Sequence, residues 1–195
     1  MINTKESLPK NAGTFRTYSR LKMDVLNPDP SMITLNDIVR GLSYNSHFSG
    51  QTPEFFSIAE HCLITEMLVE KEHPEDIELR LISLLHDASE AYIGDMIHPI
   101  KLLFPDFKEL ELKLQEAIMQ KFDLPFSRMP EVKIYDLAAQ DHEAVVFYES
   151  KYTSQYERSI EYVRFHSPEA SKALFERRIA QLLEEYRQIP LDIEK

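Results

Sequence analysis

The chain has 195 residues, 43% of them apolar and 28% charged, with a formal net charge of -11 at pH 7. That length and balance fit one globular domain spanning residues 1–195. The single cysteine, Cys62, excludes an internal disulfide or a cysteine-built zinc knuckle, and the acidic surplus argues against a partner that is a nucleic-acid polymer.

No apolar run reaches the length of a membrane span, and the opening residues lack the apolar core of a signal peptide. The expectation is a cytoplasmic protein with no membrane partner. Small phosphorylated ligands stay open, because screening confines distant charges and leaves local groups to decide.

Residues 1–30 read as an irregular N-terminal segment in which Phe15, Tyr18 and Val25 can hold a short strand pair or loop against helices. A helical core over about 34–187 follows. Thr34 or Asn36 caps a short helix through Leu42. Helical apolar periodicity then recurs over Phe55 to Val69, Ile77 to Ala91, Phe107 to Phe122, Val132 to Tyr148 and Leu174 to Tyr186. Ser167-Pro168-Glu169 is a capped start with proline in the first turn. Only four glycines occur, none clustered, which excludes Rossmann and Walker-type nucleotide loops. The fold class read from the sequence is all-α.

From the second of these periodic stretches onward, Leu84-Leu85-His86-Asp87-Ala88-Ser89-Glu90-Ala91-Tyr92-Ile93-Gly94-Asp95 sets four ionisable groups into an apolar segment. Such groups seldom enter a core without an organising charge, and a divalent metal is the natural candidate. His61 points to the apolar side of its own helix, sharing it with Ile58, Ile64 and Leu68. Asp136 is a further inward carboxylate, sharing a face with Val132, Ala139 and Glu143. Two imidazoles and two carboxylates make a plausible mononuclear site with positions left for water and substrate oxygen. Taken singly, His61 reads as a core histidine and Asp136 as a partner for Lys133.

The order His61, His86-Asp87, Asp136 resembles the HD-domain metal-dependent phosphohydrolases. More narrowly, Leu42-Ser43-Tyr44-Asn45, His47-Phe48-Ser49-Gly50, Phe56 to His61, His86 to Tyr92, Gly94-Asp95, Pro99-Ile100-Lys101 and Val132 to Asp136 are similar to the 5′-deoxynucleotidase-like branch. That branch includes deoxyadenosine triphosphate triphosphohydrolases and the oxetanocin triphosphate phosphohydrolase. The resemblance covers about Thr14 to Glu149 and implies an HD-domain helical bundle.

It further implies that His61, His86, Asp87 and Asp136 hold one divalent ion, such as cobalt, manganese or magnesium. Glu90 and Asp95 would handle water, proton or sugar hydroxyl. Lys101 would bring positive charge to phosphate. Relatives carry arginine and an aromatic where this chain has His47-Phe48. His47 is a weaker, pH-dependent donor, and Phe48 keeps the option of stacking on a base.

The implied activity is hydrolysis of phosphate from a deoxynucleotide or nucleoside-analogue phosphate. The alternatives are a tri- or stepwise phosphohydrolase, or a catalytically silent nucleotide-binding module. Self-association into a homo-oligomer stays open. His73, His98, His142 and His166 do not fall in the order of a dinuclear relative. Cys62 reads as a small buried hydrophobe pointing away from His61. Lys108 to Gln120 and the tail from Arg177 to Lys195 read as solvated faces or packing surfaces.

Overall fold

A computed structural model describes residue 9, residues 11–149 and residues 154–189. Residues 1–8 and 10 of the expected N-terminal segment, and 190–195 of the expected tail, lie outside the described residues. Among those described the chain is all-α, apart from one antiparallel pair. In that pair β1 (Thr14–Arg16) runs against β2 (Lys22–Asp24) with Phe15 opposite Met23. Met23 is fully buried and anchors the pair to the helices, as alternation in a half-buried ribbon requires.

Helix starts follow short oxygen-bearing side chains that take up otherwise orphaned backbone N–H groups. The Thr34 hydroxyl accepts from the Asp37 amide at the head of α1 (Leu35–Tyr44). Ser57 caps α2 (Ile58–Glu72) through the Glu60 amide, and Asp76 caps α3 (Ile77–Leu85) through the Leu79 amide. Two one-turn helices follow, α4 (Glu90–Ile93) and α5 (His98–Lys101). The longer α6 (Pro105–Lys121) and α7 (Met129–Tyr148) each carry proline in the first turn. After α8 (Ser154–Ser159), Ser167 caps α9 (Pro168–Gln188).

The α2 helix is central, packed on α1, α3, α7 and α9. Leu42, Leu81, Leu84, Leu85, Phe175 and Ile179 belong to the main core; Phe56, Ile64, Ala139 and Val146 belong to a second cluster. The charged tail of the sequence is therefore a packing surface over its described part, since α9 buries Phe175, Ile179 and Leu182. At Gly41 α1 meets α4 so closely that a Cβ would stand 2.4 Å from the Ala91 carbonyl oxygen. No helix among the described residues is long and apolar enough to cross a membrane.

One expectation needs correction. The periodicity predicts one helix from Ile77 to Ala91, yet the regular helix ends at Leu85 and resumes at Glu90. The bridging residues form tighter turns, with the Ala88 amide donating to Leu85, Glu90 to Asp87 and Ala91 to Ala88. The physical cause is the buried Gln115 side chain of α6. Its amide donates to the Leu85 carbonyl at 2.6 Å and accepts from the Ser89 N–H at 2.9 Å, replacing ladder bonds that the break gives up.

Candidate metal centre

The break in the α3–α4 region aims the site. On a regular helix His86 and Asp87 would diverge by about 100°. In the tightened turn His86 Nε2 lies 3.2 Å from Asp87 Oδ2. The α2 helix brings His61 from the opposite side, its Nε2 3.2 Å from His86 Nε2 and 3.6 Å from Asp87 Oδ2. The α7 helix supplies Asp136, whose Oδ1 is 3.2 Å from His61 Nε2 and 3.8 Å from His86 Nε2. The four residues named from the sequence thus converge.

Donor chemistry and spacing both fit a divalent ion. Ligands about 2.1 Å from one ion lie about 3.0 Å apart at right angles and about 3.4 Å apart at the tetrahedral angle. The observed separations of 3.2–3.8 Å bracket the tetrahedral figure. The other ring nitrogens are already committed: His61 Nδ1 lies 2.7 Å from Glu143 Oε1, and His86 Nδ1 lies 2.7 Å from the Ser83 carbonyl oxygen. With an Nδ1 proton donated to each acceptor, both Nε2 atoms turn lone pairs toward the same place. Such outer contacts fix tautomer and ring orientation at metal sites.

The local field favours a cation. Burial opposes charge on His61, but Glu143 and Asp136 outweigh it and raise its pKa well above the ordinary value. His86 is raised likewise against burial, chiefly by Asp87. Asp87 and Asp136 are held well below the carboxylate range despite burial, the first mainly by His86 and the second by both imidazoles. Asp136 is further fixed by Lys133 on Oδ2 and by the Gln140 amide, which donates to Oδ1 at 2.7 Å. The pairing with Lys133 and the position beside His61 are therefore both realised.

Glu90 lies beside this cluster, 3% exposed. Burial, then the charges of Asp87 and Asp95, raise its pKa well above the ordinary value against the pull of Lys101. Lys101 Nζ donates to Glu90 Oε1 at 2.9 Å and to Glu111 Oε1 at 2.6 Å. Its ammonium is thus shared by two carboxylates. Asp95 follows Gly94, whose φ of +78° lies in the region that glycine adopts without strain. Its Oδ2 accepts from the Ser49 amide at 3.3 Å and lies 3.2 Å from His47 Nδ1.

His47 is buried, its ring stacked on that of His61 at 4.4 Å between centroids. Its Nε2 lies 3.5 Å from Glu143 Oε2. Phe48 leans on the His47 ring at 4.1 Å and meets Phe147 edge-on at 6.0 Å, half-buried beside the second core cluster. Phe48 and Ser49 both adopt left-handed backbone conformations, with φ of 51° and 50°. Consecutive non-glycine residues in that region concentrate where a site constrains the chain. The Ser49 contacts to Asp95 are one such constraint.

Two groups escape sequence reasoning in their roles. Glu143 is visible only as a neighbour of Asp136 two turns along the same face, yet it serves two imidazoles. Gln115 carries no signal at all. Cys62 corrects the expectation that it points away: its sulfur lies within 4.8 Å of donor atoms of His86 and Asp87. Burial raises its thiol pKa, which keeps it a thiol and a poor ligand beside two carboxylates. The remaining histidines serve structure or surface. His73 meets the Tyr135 hydroxyl, His142 meets Ser159, His166 lies against Glu60, and His98 is exposed.

No family model matches the sequence. The chain is similar to the uncharacterized protein YfdR of Escherichia coli, 37% identical over 114 residues that cover 58% of this chain and 60% of YfdR. It is also similar to an uncharacterized protein of Rhodobacter capsulatus, 39% identical over 114 residues that cover 56% of this chain and 58% of that protein. The chain spans about 60% of the length of these curated relatives.

Proposed function

We propose that the chain is a metal-dependent phosphohydrolase of the HD-domain type, removing phosphate from a nucleotide. The observation that carries this reading is the pair of facing imidazoles. Both Nδ1 atoms are committed to acceptors, and both Nε2 atoms converge with Asp87 and Asp136. A cobalt, manganese or magnesium ion bound there would lower the pKa of water and offset charge on phosphoryl oxygens.

His61, His86, Asp87 and Asp136 hold the ion; Glu143 and the Ser83 carbonyl orient the rings. Glu90 accepts the proton of the attacking water at Oε2, which is buried and meets no other hydrogen-bonding group. A carboxylate whose pKa is raised is suited to that task near neutral pH. Asp95 faces the same space and contacts a sugar hydroxyl or shares the proton. Lys101 acts through Glu90, because two carboxylates already occupy its ammonium. Phe48, packed on the His47 ring, is the aromatic nearest the cluster for stacking on a base.

The test is to incubate the metal-stripped chain with nucleoside mono-, di- and triphosphates and each of the three ions, separating the products. Expected is release that requires metal and is lost in Asp136→Asn. Phosphate as product marks a nucleotidase and triphosphate a triphosphohydrolase. Nucleotide binding without release under every ion would overturn the enzyme reading in favour of a binding module.

A further inference from the structure

Beside the first cluster stands a second set of donors. One donor atom from each of His47, Glu90 and Asp95 lies within 4.8 Å of the others. These residues come from three separate segments: the left-handed turn after α1, the head of α4 and the loop after Gly94. Glu90 and His47 are 3% and 6% exposed. Glu90 Oε2 and both His47 nitrogens are sealed from solvent and make no hydrogen bond. Buried polar atoms left in that condition are uncommon and call for a ligand.

His47 Nδ1 and Asp95 Oδ2 are 3.2 Å apart but outside hydrogen-bonding alignment. That is the relation of two atoms that share an ion lying off the line between them. The Glu143 carboxylate reinforces it. Its Oε1 orients His61 and its Oε2 lies 3.5 Å from His47 Nε2. One buried carboxylate thus backs two stacked imidazoles, leaving His61 Nε2 for the first cluster and His47 Nδ1 for the second.

Charge balance points the same way. Six carboxylates crowd the region: Asp87, Asp95, Asp136, Glu90, Glu111 and Glu143. Among the described residues Lys101 and Lys133 are their only lysine or arginine partners. With the imidazoles neutral as ligands and all six carboxylates ionised, these two ammonium groups and one divalent ion supply four positive charges, leaving two negative ones over. Uncompensated buried charge is costly, and a second divalent cation matches the remainder.

We infer that His47, Glu90 and Asp95 form a second divalent-cation site, so that the chain binds two ions side by side, the second ion taking the Glu90 and Asp95 oxygens that the one-ion mechanism gives to water and sugar. A pair of cations suits a substrate bearing several phosphate charges, a consequence that rests on the phosphohydrolase reading. The occupancy itself does not, since ions are counted without nucleotide.

The full metal-stripped chain is titrated with Mn²⁺ by calorimetry, and bound manganese is counted by elemental analysis after desalting. Two ions per chain are expected, falling to one in His47→Gln and, independently, to one in Asp95→Asn, each with unchanged far-UV circular dichroism. One ion or none on the unaltered chain, or two retained in both variants, overturns the second site. Metal-dependent hydrolysis by a chain that binds a single ion would sink the second site alone and leave the proposed activity standing.

Discussion

At the scale of the residue, Glu143 decides more than its place in the sequence suggests. It is fully buried, its Oε1 is bonded to the His61 ring and its Oε2 stands 3.5 Å from the His47 ring without a hydrogen bond, so one carboxylate faces two imidazoles. Glu143→Gln preserves shape but replaces one acceptor oxygen by a donor. It should weaken divalent-metal affinity by about 10–100-fold, the usual effect of losing such an outer contact, with the helical spectrum unchanged. Titration of the stripped variant with Mn²⁺ checks this; an unaltered dissociation constant would remove the carboxylate from its orienting role. The sequence reveals the direction of Glu143, because seven residues from Asp136 is two helical turns, but periodicity carries no distance to His47 or His61. The four residues that converge at the first cluster were legible for a different reason, the ordered motifs around them. The second role of His47 was not legible, since one histidine before an aromatic has no spacing to be read against.

At the scale of the element, caps and apolar periodicity make most helices readable: Thr34 and Ser167 each begin the helix expected of them. What periodicity misses is the break after Leu85, because its cause is a side chain from another helix. The Gln115 amide takes the Leu85 carbonyl and the Ser89 N–H, both of which lose their helical partners there. In Gln115→Leu the Ser89 N–H stays buried without a partner, while the Leu85 carbonyl keeps only the Ala88 N–H. A loss of about 1–3 kcal/mol follows, the cost of one buried backbone group left unpaired, measurable by thermal or urea unfolding. The same variant should weaken metal binding, because the turn it supports brings Asp87 beside His86. A destabilised variant with undiminished metal affinity would show that His86 and Asp87 hold their geometry without the break.

At the scale of the whole molecule, the first cluster is where distant parts of the chain are tied together. His61 comes from α2, His86 and Asp87 from the α3–α4 break and Asp136 from α7, three segments that meet only in the folded state. An unfolded chain offers no such arrangement, so an ion bound here adds its binding free energy to folding. At a free concentration one hundred times the dissociation constant that gain is about 2.7 kcal/mol. For a chain of this size it corresponds to a rise in Tm of about 5–10 °C. Chelation should lower Tm by at least that amount and re-addition of Mn²⁺ should restore it, whereas Asp136→Asn combined with Asp95→Asn, which damages both donor sets, should melt at nearly the same temperature with and without chelator. The contrast separates a bound ion from a merely paired cluster: if protons and lysines alone balanced these carboxylates, the chelator would leave both melting curves where they stand.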